Sequence, residues 1–437
     1  MTRGDTSLPR NPSIDQTFVL LMRTCFFALL VITAPAAFAG NVSVSLSETP
    51  RYVKRHNPDL VAARLRIDEA KGRLLGSGRL SNPDLGLNLT HDRRFEEGTV
   101  GVSFDQKFPL TARLRLEKTI SQKLVSAAEL EVREMERQVI AETQSLVVKL
   151  LSIDQQRALR QQQTELAQKL STFAADRSNK GEISPLDAAQ AQVDSQRLVL
   201  EGRKLEAERV SILGELKPKL GAAANDTLVV AGGLPVTALP AKGEWTSRPD
   251  YQLSRTYADV ALVEVDLAKA KKWDDVTAGV MWEGERMEDA PDGLERTGFF
   301  GFRVSVPLPF WNKNQGEIAE KNAAALRASL ETKALAAGIT NQVAAARAEM
   351  AANAALAMET RGKLLPLVVE QTDKLEKAYE TGQVDLLTIL RAREQRLQLE
   401  AAVLDATRDF HLARIRYEAA TARHAPASAQ HNSAAGK

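Results

Sequence analysis

The chain is written twice, and that duplication constrains its architecture more than any other feature. Asn57-Pro58-Asp59-Leu60 returns as Arg248-Pro249-Asp250-Tyr251, 191 positions later, and Asn82-Pro83-Asp84-Leu85 returns at the same offset as Trp273-Asp274-Asp275-Val276. Phe108-Pro109-Leu110 then matches Leu308-Pro309-Phe310 at an offset of 200, and Gly181-Glu182-Ile183-Ser184 matches Gly382-Gln383-Val384-Asp385 at 201. A nine-residue insertion, assigned to the loop of the second hairpin, reconciles two copies of one long unit. Each unit reads as helix, β-hairpin, very long helix, turn and long helix. In the first copy the expected helices are 58–79, 111–178 and 185–217, with strands at 83–90 and 98–107. In the second they are 249–272, 315–380 and 385–422, with strands at 274–283 and 297–307. The organisation expected is a first repeat over 40–220, a Gly/Ala/Pro-rich connector over 221–245, a second repeat over 246–422 and a disordered tail over 423–437.

The strands alternate. Leu85, Leu87 and Leu89 share one face, as do Val100, Val102 and Phe104, then Val276, Ala278, Val280 and Trp282, then Phe300, Phe302, Val304 and Val306. Half-buried hairpins on a soluble core would show the same alternation. Nothing else in the chain is β-like enough to supply a sheet for them to join, and Phe108 and Phe310-Trp311 cluster at strand ends as an interfacial aromatic girdle would, with Trp282 assigned to the same girdle. Four strands cannot close a barrel, whose small form has about eight, and open edges in lipid would leave backbone groups unpaired. Strands crossing a membrane here would therefore require several chains to share one barrel.

The helices are rods. About 68 residues from Thr111 to Ser178 would span about 100 Å at about 1.5 Å per residue. Met135, Val139, Leu146, Leu150 and Ile153 mark one coiled-coil seam, and Leu390, Leu397 and Leu404 step by sevens along another.

An export signal fits this picture. Residues 1–39 read as a signal peptide, with Arg23 ahead of an apolar run from Cys25 to Ala36 and an Ala37-Phe38-Ala39 cleavage site. Residues 1–21 lack signal character, which points to a start at Met22. The lone cysteine, Cys25, lies inside that segment, so neither a disulfide nor a thiolate site is expected in the mature chain. A formal net charge of +2 argues against a nucleic-acid partner. His56, His91, His411, His424 and His431 stand far apart, and no phosphate loop or triad motif appears, so neither an enzyme, a metal site nor a cofactor is expected.

With these residues in hand the order resembles the TolC-like outer-membrane efflux proteins over about 45–422. The most specific stretch is Val306-Pro307-Leu308-Pro309-Phe310-Trp311-Asn312-Lys313-Asn314-Gln315-Gly316-Glu317-Ile318. It is similar to the PLPLF(N/D)RNQG run of the heavy-metal, CzcC-like branch, with Phe-Trp-Asn-Lys in place of the commoner residues. The resemblance implies a mainly α fold with a transmembrane β portion: long antiparallel coiled-coil helices forming an α-barrel, plus four strands per chain in a shared twelve-stranded barrel. It implies a homotrimer in outer-membrane lipid, with the helical tunnel in the periplasm, a periplasmic adaptor protein and an inner-membrane RND pump as partners, and divalent cations of the cobalt, zinc or cadmium type as cargo. It places adaptor contact at the two tips, through Gly181, Glu182, Ser184, Gly382, Gln383 and Asp385, and a gate hydrogen bond between Asp187 and Tyr379. Thr388 and Arg391 occupy the positions of the family's acidic constriction. Drug efflux or type I secretion, an exported coiled-coil envelope scaffold and a periplasmic adaptor are the competing readings; the twofold repeat disfavours the last.

Overall fold

The computed structural model describes residues 41–289 and 293–421, so the expected signal peptide and C-terminal tail lie outside the described residues. The chain begins with a short strand, β1 (Asn41–Ser45), and a helix, α1 (Thr49–His56), before the first repeat proper. That repeat contains α2 (Pro58–Gly76), β2 (Asp84–His91), β3 (Gly98–Phe108), α3 (Arg113–Asn179) and α4 (Pro185–Lys219). The connector carries β4 (Thr227–Ala231). The second repeat follows as α5 (Pro249–Ala270), β5 (Val276–Asp289), β6 (Gly293–Ser305), α6 (Gln315–Glu359), a π-helical turn at Thr360–Leu364, α7 (Leu365–Glu380) and α8 (Leu386–Ala420).

Four differences from the sequence reading have physical causes. First, β1 and β4 pair in parallel, Val44 against Val230 and Val42 against Leu228, so a second small sheet exists that the alternation did not reveal. Two five-residue strands 186 positions apart leave almost no local periodic signal. Second, the insertion in the second hairpin lengthens strands rather than a loop: β5 and β6 have 14 and 13 residues against 8 and 11 in β2 and β3. Third, the helix expected over 315–380 is interrupted. Leu365 donates its amide to the Thr360 carbonyl, five residues back, just ahead of Pro366, which has no amide to continue the α ladder. The first repeat has Glu165 at the corresponding place, and α3 runs unbroken for 67 residues, about 100 Å. Fourth, Leu390, Leu397 and Leu404 are half-buried, and the fully buried stripe of α8 is Ile389, Ala392, Val403, Ala406, Phe410, Ala413 and Tyr417, rotated from them around the helix.

The helices form a row. α4 packs on α3, α3 on α8, and α8 on α6 and α7. Midway along the rods, Val44, Val53, Leu60 and Leu228 from β1, α1, α2 and β4 close over Ile140, Val147, Leu150, Leu216 and Leu220 of α3 and the end of α4. The expected α3 seam is present, with Val139, Leu150 and Ile153 buried and Met135 and Leu146 packed against them. The connector is strapped to α8 on the other side of the belt. His411 Nε2 lies 2.9 Å from the Pro235 carbonyl, and the Tyr417 hydroxyl accepts from the Gly243 amide (2.8 Å) and donates to the Ala241 carbonyl (3.2 Å).

His411 is 2 % exposed, and burial pushes its pKa below the ordinary imidazole value, opposed by the Pro235 contact. The folded state therefore holds a neutral ring, while the unfolded chain takes up a proton as pH falls through about 6.5. The contribution of this site is fully present above that pH and is lost below it. Thermal unfolding followed between pH 7.5 and 5 is expected to show a falling midpoint in the wild type and a shallower fall in His411→Gln.

Candidate functional site

The β portion is one antiparallel sheet in the order β2-β3-β5-β6, so the two hairpins of the two repeats are joined into a single wall. Its register sorts the faces by row. Leu85, Phe104, Val280 and Phe302 stand side by side across all four strands, and so do Leu87, Val102, Trp282 and Phe300. All eight are exposed. The opposite face carries Asp84, Asp105, Gly279 and Arg303 in one row and Thr90, Thr99, Glu285 and Thr297 in another. There Arg303 reaches across Gly279 to Asp105 at 2.5 Å; a Cβ on residue 279 would collide with the Asp105 carboxylate, so glycine is what lets the ion pair bridge non-adjacent strands. A sheet with one continuous apolar face in the open and one polar face is what a barrel wall between lipid and water requires.

The expected girdle residues divide. Phe108, Phe310 and Trp311 cluster where the strands meet the helices, Trp311 being 90 % exposed. Trp282 is not at a strand end. It lies six residues into β5, about 20 Å along the strand from Val276, which pairs with Phe108. Its indole spreads over Gly284 and Gly298 on the same face. Just beyond, Arg286 pairs with Arg296 and the apolar rows stop.

The Pro307–Ile318 stretch builds the corner between wall and rod. Asn314, left-handed at φ 58°, precedes α6 and donates from Nδ2 to the Ala268 carbonyl near the end of α5 (2.9 Å) and to Glu317 (2.7 Å). Lys271 reaches the same Glu317 at 3.2 Å. In the first repeat Arg113 does comparable work against Asp275 at 2.6 Å. The side chains of this motif thus fasten one element to another.

At the far end both helical hairpins turn with the same backbone. Gly181 and Gly382 have φ of 75° and 74°, where only glycine is unstrained. The Glu182 amide donates to the Arg177 carbonyl (2.9 Å) and the Gln383 amide to the Ala378 carbonyl (2.8 Å), satisfying helix-end carbonyls in the same six-to-one pattern. Ser184 then caps α4 by accepting from the Leu186 amide, and Asp385 caps α8 by accepting from the Thr388 amide and hydroxyl. Gly181, Glu182, Ser184, Gly382, Gln383 and Asp385 are all exposed, so the two tips stand together as one surface.

The Asp187–Tyr379 hydrogen bond is not made within the protomer. Asp187 is exposed, while Tyr379 is 5 % exposed among Leu170, Ala174, Ala191, Leu386 and Ile389. Its hydroxyl is buried with no hydrogen-bond partner, and burial raises the phenol pKa. The residue that links the tips is Arg177. Its guanidinium lies 4.6 Å from the Phe173 ring centre and 5.9 Å from that of Tyr379, donates to the Glu380 carbonyl at 3.1 Å and approaches Glu182 at 3.4 Å. A lone arginine in a last helical turn gave no signal of that role beyond its favourable place at a helix C-terminus. Thr388 is engaged with Asp385, and Arg391 is exposed, so the two positions that the resemblance aligned with an acidic constriction carry no carboxylate. Among the described residues no group of three His, Cys, Asp or Glu is placed to hold a metal ion, and no helix is long and apolar enough to cross a membrane.

With this geometry described, comparison places the fold. Solved structures superpose over most of the chain. CusC aligns with a TM-score of 0.72 and 14 % identity over 86 % of this chain and 91 % of its own, and the CmeC outer membrane channel of Campylobacter jejuni with 0.69 and 14 % over 86 % and 85 %. The chain has the protomer fold of the TolC-like outer-membrane channels, long helices and a partial β-barrel included. In sequence it is 22 % identical over 368 residues to the cobalt-zinc-cadmium resistance protein CzcC of Cupriavidus metallidurans, covering 83 % of this chain and 82 % of that one. No family model matches the chain.

Because the Tyr379 hydroxyl is desolvated without a partner, removing it relieves a cost rather than breaking a bond. Tyr379→Phe is expected to leave thermal stability unchanged or raised and to leave closed-state conductance in planar bilayers unchanged. Arg177→Ala, which separates the tips, is expected to lower stability in the same assay.

Proposed function

We propose that this chain is the outer-membrane duct of a tripartite efflux assembly: a passive channel, with no catalytic role, whose strands line a barrel shared between copies and whose helices continue it across the periplasm. The observation that carries the reading is the four-stranded wall with one unbroken apolar face, joined through the Asn314 corner to rods about 100 Å long. An envelope scaffold would need the rods alone and has no use for eight large apolar side chains aligned in the open. The exposed tips suit docking by a periplasmic adaptor, with an inner-membrane pump supplying the energy. Phe108, Phe310 and Trp311 would mark the periplasmic edge of the lipid, and Trp282 the approach to its outer edge.

For cargo, the CzcC relative supports divalent cations such as cobalt, zinc and cadmium. Two observations favour a broader cargo. The CzcC-like stretch is occupied with joining α5 to α6, and the described residues offer no metal-binding cluster. A wall of this kind admits organic solutes or a secreted chain as readily as hydrated cations, and the pump would do the choosing.

Growth of a deletion strain, with and without the restored gene, across zinc, cadmium, cobalt and several antibiotics separates these cargoes. Rescue confined to organic toxins is expected on the broader reading, and rescue confined to the metals would assign the duct to metal efflux. A purified protein that forms no conducting oligomer in planar bilayers would defeat the duct reading itself.

A further inference from the structure

The apolar face of the sheet ends in a basic row. Past Trp282 the register places Leu89, Val100, Gly284 and Gly298 side by side on that face, and then His91, Gly98, Arg286 and Arg296. From Val276 to Gly284 no charged residue falls on this face of any of the four strands. Arg286 and Arg296 stand directly opposite one another, and like charges so placed cost stability. The carboxylates adjacent in sequence, Glu285 and Glu295, alternate to the opposite face. Neither guanidinium has an ion-pair partner among the described residues, whereas Arg303, on the polar face, is matched to Asp105.

The row stands at the height where a bilayer changes chemistry. From Val276, which pairs with Phe108 at the aromatic end of the sheet, to Arg286 is about 34 Å at about 3.4 Å per residue. At the tilt of about 40° usual for barrel strands, that is about 26 Å of height, the depth of the apolar band on such a barrel. The arginines therefore lie at the headgroup level of the leaflet farther from the rods. Gly98 contributes no side chain, so the row is open between His91 and Arg286 across two strand spacings, about 10 Å. The turn between β2 and β3 adjoins this opening and is held by Asp92, whose carboxylate accepts the amides of Arg94 (3.0 Å), Glu96 (2.8 Å) and Glu97 (3.1 Å). Phe95 stacks on His91 at 3.9 Å, and Arg93 and Arg94 are exposed at the same end of the sheet. On the other side of the row, the Trp282 indole over Gly284 and Gly298 offers a flat apolar shelf.

We infer that Arg286 and Arg296 bind the phosphate of an outer-leaflet lipid whose acyl chains lie along the apolar rows. A phosphate between the two guanidiniums offsets their repulsion and accepts charge-assisted hydrogen bonds from both. Arg93 and Arg94 add to the positive field at that end. The inference rests on the reading of the sheet as a lipid-facing wall and adds the kind of lipid that the wall selects. The sequence hid the site because the two arginines belong to different strands and meet only through the register of β5 with β6.

The test uses the full chain purified in detergent, with diphosphorylated lipid A as the probe and its dephosphorylated form in parallel. Bound lipid is counted by native mass spectrometry. Arg286→Gln with Arg296→Gln is expected to weaken binding of the diphosphorylated form about tenfold and to leave binding of the dephosphorylated form unchanged. Lys107→Gln with Lys272→Gln removes the same charge from the other end of the sheet and is expected to bind as the wild type does. Equal loss in the two double variants, or wild-type binding that ignores the phosphates, overturns the site. Millimolar inorganic phosphate, against chloride at matched ionic strength, is expected to leave the lipid bound; displacement would assign the arginines to free anions and overturn the lipid assignment. If the glutamine pair does not assemble, Arg286→Lys with Arg296→Lys takes its place, and weaker binding is again expected because lysine lacks the planar fork. Planar-bilayer conductance of each sample reports on the duct separately. A conducting wild type that binds both lipid forms alike defeats the lipid site and leaves the duct reading standing.

Discussion

Everything in this chain is arranged around a sheet that cannot finish its own hydrogen bonding. β3 and β5 are paired on both sides, but β2 and β6 each keep one edge open. In lipid no water can satisfy those groups, and each orphan costs several kcal/mol. The apolar rows running through Leu87, Val102, Trp282 and Phe300 prevent the simpler solution of leaving the sheet in water. On the duct reading, the two demands are compatible only in a closed barrel made by more than one chain. Duplication of the hairpin doubles the strands each chain brings and so reduces the number of joints between chains that closure requires.

The rods inherit this geometry through the two corners at which strand becomes helix. There polar contacts tie α3 to the residue ahead of β5, Arg113 to Asp275, and α6 to α5, Asn314 to the Ala268 carbonyl. From the corners downward the repeats diverge. α3 is continuous, while its counterpart is divided by the π turn before Pro366. The π turn changes the hydrogen-bond ladder at one point of the second hairpin, whereas the first hairpin has no comparable break. The same sequence plan has yielded one unbroken rod, α3, and one interrupted rod, α6–α7, with α8 packed on both.

Much of this was legible in the residues. The repeat offsets, the alternation in 98–107 and 297–307 and the turn glycines Gly181 and Gly382 located nearly every long element, because each is a local property of the chain. What escaped has no local signature. β1 and β4 pair across 186 positions with five residues each. Trp282 stood near the end of the strand expected over 274–283 and was therefore grouped with the girdle, whereas β5 continues to Asp289. The α8 stripe was read through its leucines, whereas helix packing selected Ile389 and the smaller Ala392 and Ala406 beside them. For the candidate site, the tips were legible down to their glycines, but the Asp187–Tyr379 contact was not, because side-chain direction around a tip depends on Arg177 lying between the two hairpins.

The corner motif bears on how cargo should be read from sequence in channels of this fold. Pro307–Ile318 is the stretch most like the metal branch, yet its polar atoms are consumed in fixing helix to helix: Asn314 on the Ala268 carbonyl, Glu317 on Asn314 and Lys271, Gln315 on the Lys313 amide. A motif engaged in this way reports how α5 and α6 are held together. On the duct reading the polar face of the wall is the surface that would meet cargo, and there Asp84, Asp105 and Glu285 stand against Arg303 among hydroxyls and glycines. Such a mixed polar surface offers no single solute a dedicated set of partners, which is the property that the proposed duct would need if selection is made by the pump.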